Sequence, residues 1–167
     1  ELSAENGTVA DIAEPGETLT YTVTLTNDGA ATTYNLADNI DDNTTYVANS
    51  ATVDGVAQEP VGSDPLVWND IPVPANGMVS VIYQVMVADT IPEGVTEIRN
   101  LAYDYDKPEP SCEDVPDQCI VTDAPEPEIT LEKSGKFQDE NGNGVAEPGE
   151  TILYTFKVAN AGNVPLA

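Results

Sequence analysis

The chain has 167 residues, with 30 Asp and Glu against five Lys and Arg, no His, and a formal net charge of −25. Such a polyanion lacks the basic face that nucleic acid or an anionic lipid surface requires. The missing His excludes Ser-His-Asp and Cys-His nucleophile systems and imidazole metal ligands.

A hydrophobic share of 40% sets the chain apart from disordered polyanions. No apolar run approaches the length of a spanning helix, so direct membrane insertion is not expected. The chain does not begin with Met and reads as a processed chain or a segment of a longer one.

Taken in chain order, the pattern is one of strands. Thr18–Asn27 alternates Leu19, Tyr21, Val23 and Leu25 against Thr, a period of two in β-branched and aromatic residues. Shorter candidates follow at Thr32–Leu36, Thr45–Val47, Ala51–Val53 and Leu66–Trp68. Val79–Val87 repeats the long alternation, Glu97–Tyr103 is a further candidate, and Ile129–Lys133 and Thr151–Val158 close the series. Between them stand Asn27-Asp28-Gly29, Asp54-Gly55, Asn76-Gly77 and Pro92-Glu93-Gly94, all turn signals. No stretch carries an apolar stripe at helical spacing. Short strands with frequent turns predict an all-β antiparallel sandwich, its Thr-rich faces toward water.

The sequence also repeats. Ala13-Glu14-Pro15-Gly16-Glu17-Thr18 recurs as Ala146-Glu147-Pro148-Gly149-Glu150-Thr151, and Tyr21, Asn27 and Gly29 recur as Tyr154, Asn160 and Gly162, at a constant offset of 133. The organisation expected is a complete sandwich over 1–123, a stiff Pro/Glu linker at 124–128 and the first strands of a second unit over 129–167. Two strands alone are marginal in water. The second unit is therefore expected to be completed by further residues or by a neighbouring subunit.

The ordered string E-P-G-E-T-L-x-Y-T-V-x-L-x-N-x-G from Glu14 to Gly29 resembles a known family. So do Asn35-Leu36-Ala37-Asp38, the run Tyr46 to Gly55, Pro74-Ala75-Asn76-Gly77 before a long strand, and Ile98-Arg99-Asn100-Leu101-Ala102. Together they are similar to the tandem immunoglobulin-like repeats of large bacterial and archaeal surface proteins, the "domain of unknown function eleven" type. The resemblance implies an immunoglobulin-like sandwich serving as a spacer or structural module outside the cell, without catalytic residues.

Three features carry chemistry. Asp139 to Glu150 reads D-E-N-G-N-G-V-A-E-P-G-E and fits a calcium-loop pattern. Asp139, Asn141 and Asn143 would give side-chain oxygens, Val145 its carbonyl, and Glu147 and Glu150 the closing acids of a hard-oxygen shell. The flanks are strands rather than helices, and a bare Gly/Asn turn is the competing reading. Cys112 and Cys119 have six residues between them across a Pro-containing loop, a ring suited to a disulfide in an oxidising compartment. A redox pair or half a metal site would need C-x-x-C spacing or further ligands. Asn6-Gly7-Thr8 and Asn43-Thr44-Thr45 are glycosylation sequons. The acids Asp38, Asp41 and Asp42, and Asp104 with Asp106, read as solvated turns rather than a glycosidase pair.

The expectation is a non-enzymatic extracellular structural repeat of a prokaryotic cell-surface or fibre-forming protein, with calcium as its only candidate cofactor. Its partners would be copies of itself or adjacent repeats, joined by β-strand complementation. The alternative is an adhesin-type module recognising a glycan or protein through Tyr34, Tyr46, Tyr103 and Tyr105. Residues 1–123 hold 23 acids and two bases, so most of the charge belongs to the complete unit.

Overall fold

In a computed structural model, which describes residues 1–166, the chain is all-β and antiparallel. It divides into two compact units, Glu1–Ala124 and Pro125–Ala167.

The first unit places two sheets around one core. In the first sheet lie β1 (Leu2–Glu5), β2 (Thr18–Asn27), β4 (Thr44–Tyr46), β5 (Thr52–Val53), β6 (Val56–Ala57) and β8 (Gly77–Val87). Its order is β1-β2-β8-β5-β6, with β4 also on β8. In the second lie β3 (Thr32–Asn39), β7 (Leu66–Val73), β9 (Glu97–Asp104) and β10 (Cys119–Asp123), in the order β10-β9-β3-β7. A parallel bridge from Ile12 to Asp123 ties the segment after β1 to the second sheet.

Alternation decides which side chains meet. On β8, Val79, Val81, Tyr83, Val85 and Val87 are buried, while Met78, Ile82 and Met86 face outward. On β2, Leu19 and Tyr21 are buried and face β8 residues Val85 and Tyr83. Trp68 packs its ring 5.2 Å from Tyr83, and Tyr21 stands 5.8 Å from the same ring. The Trp68 Nε1–H donates to the Gln58 carbonyl at 3.0 Å, which satisfies the polar end of an otherwise buried indole. The turn between β5 and β6 is Asp54-Gly55, with φ of 48° and 77°, the left-handed pair that a two-residue hairpin demands.

Several elements exceed the expected bounds. β3 continues through Asn39 and β7 through Val73. The alternation of this pair is broken by a register shift between Tyr34 and Leu36 and by Asp70 at φ 53°, whose N–H donates to Asn35 Oδ1. Strands β1, β6 and β10 lie outside every predicted run: the first and second are polar or very short, and β10 is stapled by the nearby disulfide. Ala124, expected in the linker, is fully buried and its N–H bonds Thr96 O, so the first unit reaches one residue past 123. Residues 125–128 are held within the second unit, where Glu126 and Glu128 carbonyls accept from Asn163 and Ala161.

The second unit is a hairpin of β11 (Ile129–Gln138) and β12 (Thr151–Asn160), paired over all ten positions of each strand. Ile152, Tyr154, Phe156 and Val158 occupy the positions of Leu19, Tyr21, Val23 and Leu25, yet each is at least half exposed. The Asn-x-Gly turn after the strand is built alike in both units: Asn27 Oδ1 accepts from Gly29 N and Asn160 Oδ1 from Gly162 N.

Candidate functional site

The two E-P-G-E loops share one hydrogen-bonded skeleton. In the first unit Glu17, 4% exposed, accepts from Glu14 N at 2.8 Å and from Gly7 N at 2.7 Å. The Glu14 carboxylate accepts from the Thr8 and Val9 N–H groups and from the Thr8 hydroxyl, which hold its pKa below the usual carboxylate range. In the second unit Glu150 Oε2 accepts from Glu147 N, and Glu147 Oε2 from Asn141 Nδ2. The counterpart of Gly7 is Glu140. In the first unit a Cβ on Gly7 would fall 2.6 Å from the Glu17 carboxylate. Glu140 does carry a Cβ, and Glu150 Oε1 is left inaccessible and without a hydrogen-bond partner.

The rest of the proposed calcium loop is wrapped by its own amides. Asp139 accepts from Gly142, Asn143 and Gly144 N–H groups, Asn141 Oδ1 from Asn143 N, and Asn143 Oδ1 from Val145 N. These Asx-type turns bend the loop so that its oxygens lie on the inside. As a donor set, carboxylates, carboxamide oxygens and a carbonyl are of the kind a hard cation takes, and Glu150 Oε1 is the buried side-chain oxygen of the set without a hydrogen-bond partner. No group of three or more His, Cys, Asp or Glu is gathered at metal-holding distance among the described residues, so Asp139, Glu147 and Glu150 do not converge as they stand.

Cys112 and Cys119 form a disulfide, with Cα atoms 5.3 Å apart. It spans the short 3-10 turn Pro116–Gln118 and packs with Val115 against buried Ala37, Leu101 and Tyr103. The sequon Asn6 is exposed, with Oδ1 accepting from Thr18 N; Asn43 is half-buried, with Nδ2 donating to Asp41 Oδ1.

Asp38 overturns its expected place on a solvated turn: it is fully buried. Because β3 runs on to Asn39, Asp38 shares the inward face of Tyr34 and Leu36 and meets Asn100, which is 3% exposed on β9. Asn100 Nδ2 donates to Asp38 Oδ1 at 2.7 Å and to the Tyr83 hydroxyl at 2.9 Å. Asp38 Oδ2 has no hydrogen-bond partner. Burial pushes the Asp38 carboxyl up to about 7; Tyr83, Asn100 and the α-ammonium of Glu1 work against that rise. Burial likewise holds the Tyr83 phenol well above its ordinary range, with the Asp38 charge adding to it. Asn100 lies within the expected run Glu97–Tyr103, whereas Asp38 lies in the part of β3 beyond the expected end at Leu36. Asp42 and Asp106 are exposed turn residues, whereas Asp41 and Asp104, the last residue of β9, are half-buried: Asp41 accepts from Asn43 and Arg99 N–H groups, and Asp104 pairs with Lys107 at 2.9 Å.

Of the tyrosines considered for a binding platform, Tyr103 is buried, Tyr46 donates to Glu59 at 2.8 Å, and Tyr105 is half exposed. A different surface is open. A groove of about 350 Å³ lies under the end of β2, bordered by Val23, Leu25, Tyr34, Leu36 and Ala102.

No family model matches the chain, and no curated protein matches it. Among solved structures, a family 123 glycoside hydrolase from Clostridium perfringens, described for glycolipid glycan hydrolysis, aligns with a TM-score of 0.34 and 8% identity. The alignment covers 68% of this chain and 21% of that one. A likeness of this size carries no argument about fold or activity.

Proposed function

We propose that the chain is a non-enzymatic, extracellular structural repeat of a prokaryotic surface or fibre-forming protein, immunoglobulin-like in its sandwich, whose copies join by β-strand complementation. The observation that carries this reading is the pairing of a complete unit with a second hairpin of the same sequence pattern. The hairpin's core-facing side chains, Ile152, Tyr154, Phe156 and Val158, are exposed. Contiguous exposed apolar side chains mark a surface that another element covers. Strands of a neighbouring copy or an adjacent repeat supply that cover. The disulfide suits an oxidising compartment. An adhesin is the weaker reading, because Tyr103 is buried and Tyr46 is bonded to Glu59, which leaves only Tyr34 and the half-exposed Tyr105 of the four candidates.

Sedimentation of the full chain over a concentration series tests this. Growth beyond the monomer, with filaments visible by electron microscopy, is expected; a monomer at every concentration contradicts it. Calcium belongs to the same reading, held by Asp139, Asn141, Asn143, Glu147, Glu150 and the Val145 carbonyl, where it would stiffen the loop. Calorimetry of the full chain should show calcium uptake that Asp139→Ala abolishes, and absence of heat at millimolar calcium would remove the ion from the account.

A further inference from the structure

In an Asn-Gly pair the main chain can attack its own side chain. The glycine nitrogen closes on the asparagine carboxamide carbon, and no Cβ on the glycine stands in the way. Four such pairs occur: Asn6-Gly7, Asn76-Gly77, Asn141-Gly142 and Asn143-Gly144. Their surroundings differ.

The pairs of the first unit are restrained. Asn6 Oδ1 accepts from Thr18 N at 2.8 Å, which turns its carboxamide toward β2, and Gly7 N donates to the buried Glu17 carboxylate packed against it. Gly77 is the first residue of β8, opposite Asn27, and the Pro74 ring lies 2.8 Å from where a Cβ would stand. Attack at either pair would pull a main-chain amide out of a packed, hydrogen-bonded place.

The pairs of the second unit are exposed, and a Cβ on Gly142 or Gly144 would meet nothing within 4 Å. One carboxylate holds both nucleophiles: Gly142 N donates to Asp139 Oδ1 and Gly144 N to Asp139 Oδ2, each at 2.7 Å. Each carboxamide oxygen, which turns negative when its carbon is attacked, already accepts an N–H. Asn143 N serves Asn141 Oδ1 at 2.9 Å, and Val145 N serves Asn143 Oδ1 at 2.8 Å. Two differences favour Asn143. Asn143 N divides its hydrogen between Asn141 and Asp139, and Asn141 Nδ2, the group that must leave, is held by Glu147 Oε2 at 2.7 Å. Asn143 Nδ2 has no hydrogen-bond partner among the described residues. The first unit carries Thr8-Val9-Ala10-Asp11 at the positions of 141–144, so this chemistry belongs to the second loop alone.

We propose that Asn143 is a site of self-catalysed deamidation, with Asn141 a slower second site. Gly144 N passes its proton to the Asp139 carboxylate as it bonds to Asn143 Cγ. The Cγ–Nδ2 bond breaks, and Nδ2 leaves with that proton as ammonia. The resulting succinimide takes up one water and opens to aspartate or isoaspartate. Each event adds a carboxylate to the loop, and isoaspartate also lengthens its main chain by one carbon. At Asn141 the product sets a second carboxylate against Glu147 in place of a donor, which loosens the loop from the E-P-G-E turn.

The full chain is held for weeks at neutral pH, beside a second sample unfolded in urea that gives the pace of the bare dipeptides. Peptide mapping by mass spectrometry reads the exchange of NH for O at each asparagine. In the folded chain Asn143 should convert faster than in urea, ahead of Asn141, and more than about tenfold ahead of Asn6 and Asn76. In urea the four rates should draw together. Asp139→Asn should return Asn143 of the folded chain to the urea pace. Equal rates at all four pairs in the folded chain, or Asn143 lagging Asn6 or Asn76, overturn the site. Asn143 no faster folded than unfolded overturns the self-catalysis, and an undiminished rate in Asp139→Asn overturns the part given to Asp139. Asn141 converting first overturns the order.

Discussion

Asp38 makes the first unit answer to pH. Its carboxyl stands at about 7 in the folded chain against an ordinary 3.8, because burial disfavours the charged form. The folded state therefore holds a proton that the unfolded state has released, and the contribution is fully present below about pH 4. It declines as pH rises through 7, at up to roughly 1.4 kcal/mol per unit. Asp38→Asn should remove that slope: denaturant melts at pH 4 to 8 should show the native chain losing more stability than the variant. Parallel curves would show that Asp38 does not titrate this way. A second residue-scale prediction concerns Glu17, whose carboxylate caps two loop amides. Gly7→Ala forces a Cβ against it, and Glu17→Ala leaves the Gly7 and Glu14 N–H groups without their acceptor. Each should cost about 1–3 kcal/mol in chemical denaturation.

At the scale of elements, the long strands were legible because nothing disturbed their alternation. Thr18–Asn27 and the run from Val79 to Val87 match β2 and β8 closely, and the offset of 133 foretold the shared loop skeleton. β3 and β7 were read short, because the shift at Tyr34 and the left-handed Asp70 shorten the visible period, and Asp38 was misplaced as a consequence. β10 carried little pattern of its own; it is ordered by pairing with β9 and by the Cys112–Cys119 link. Cys112→Ser with Cys119→Ser should lower stability by about 2–3 kcal/mol. The accompanying loss of exchange protection should be greatest at Ile120 and Thr122. Unchanged protection there would mean that the strand pairing alone holds β10. The cation loop was legible as a pattern, but the pattern does not say that Asp139, Glu147 and Glu150 are engaged by amides rather than gathered together.

Over the whole molecule the charge and the apolar surface pull in opposite directions. A net charge of −25 keeps copies apart, while the exposed apolar face of the hairpin favours their joining. Association should therefore strengthen as salt screens the repulsion, with the change largest below about 0.1 M, where the screening length exceeds about 10 Å. Calcium beyond that screening effect would reveal a specific ion. The central claim is that copies join by adding a strand to the flank of β12 that β11 does not pair, and hydrogen exchange of the full chain in its dilute and concentrated states measures this at the residues concerned. Slowing at the Tyr154 and Phe156 amides, which face away from β11, in the concentrated state, in step with the mass average, is the predicted result. Association that leaves those two amides exchanging as fast as in the monomer would contradict it.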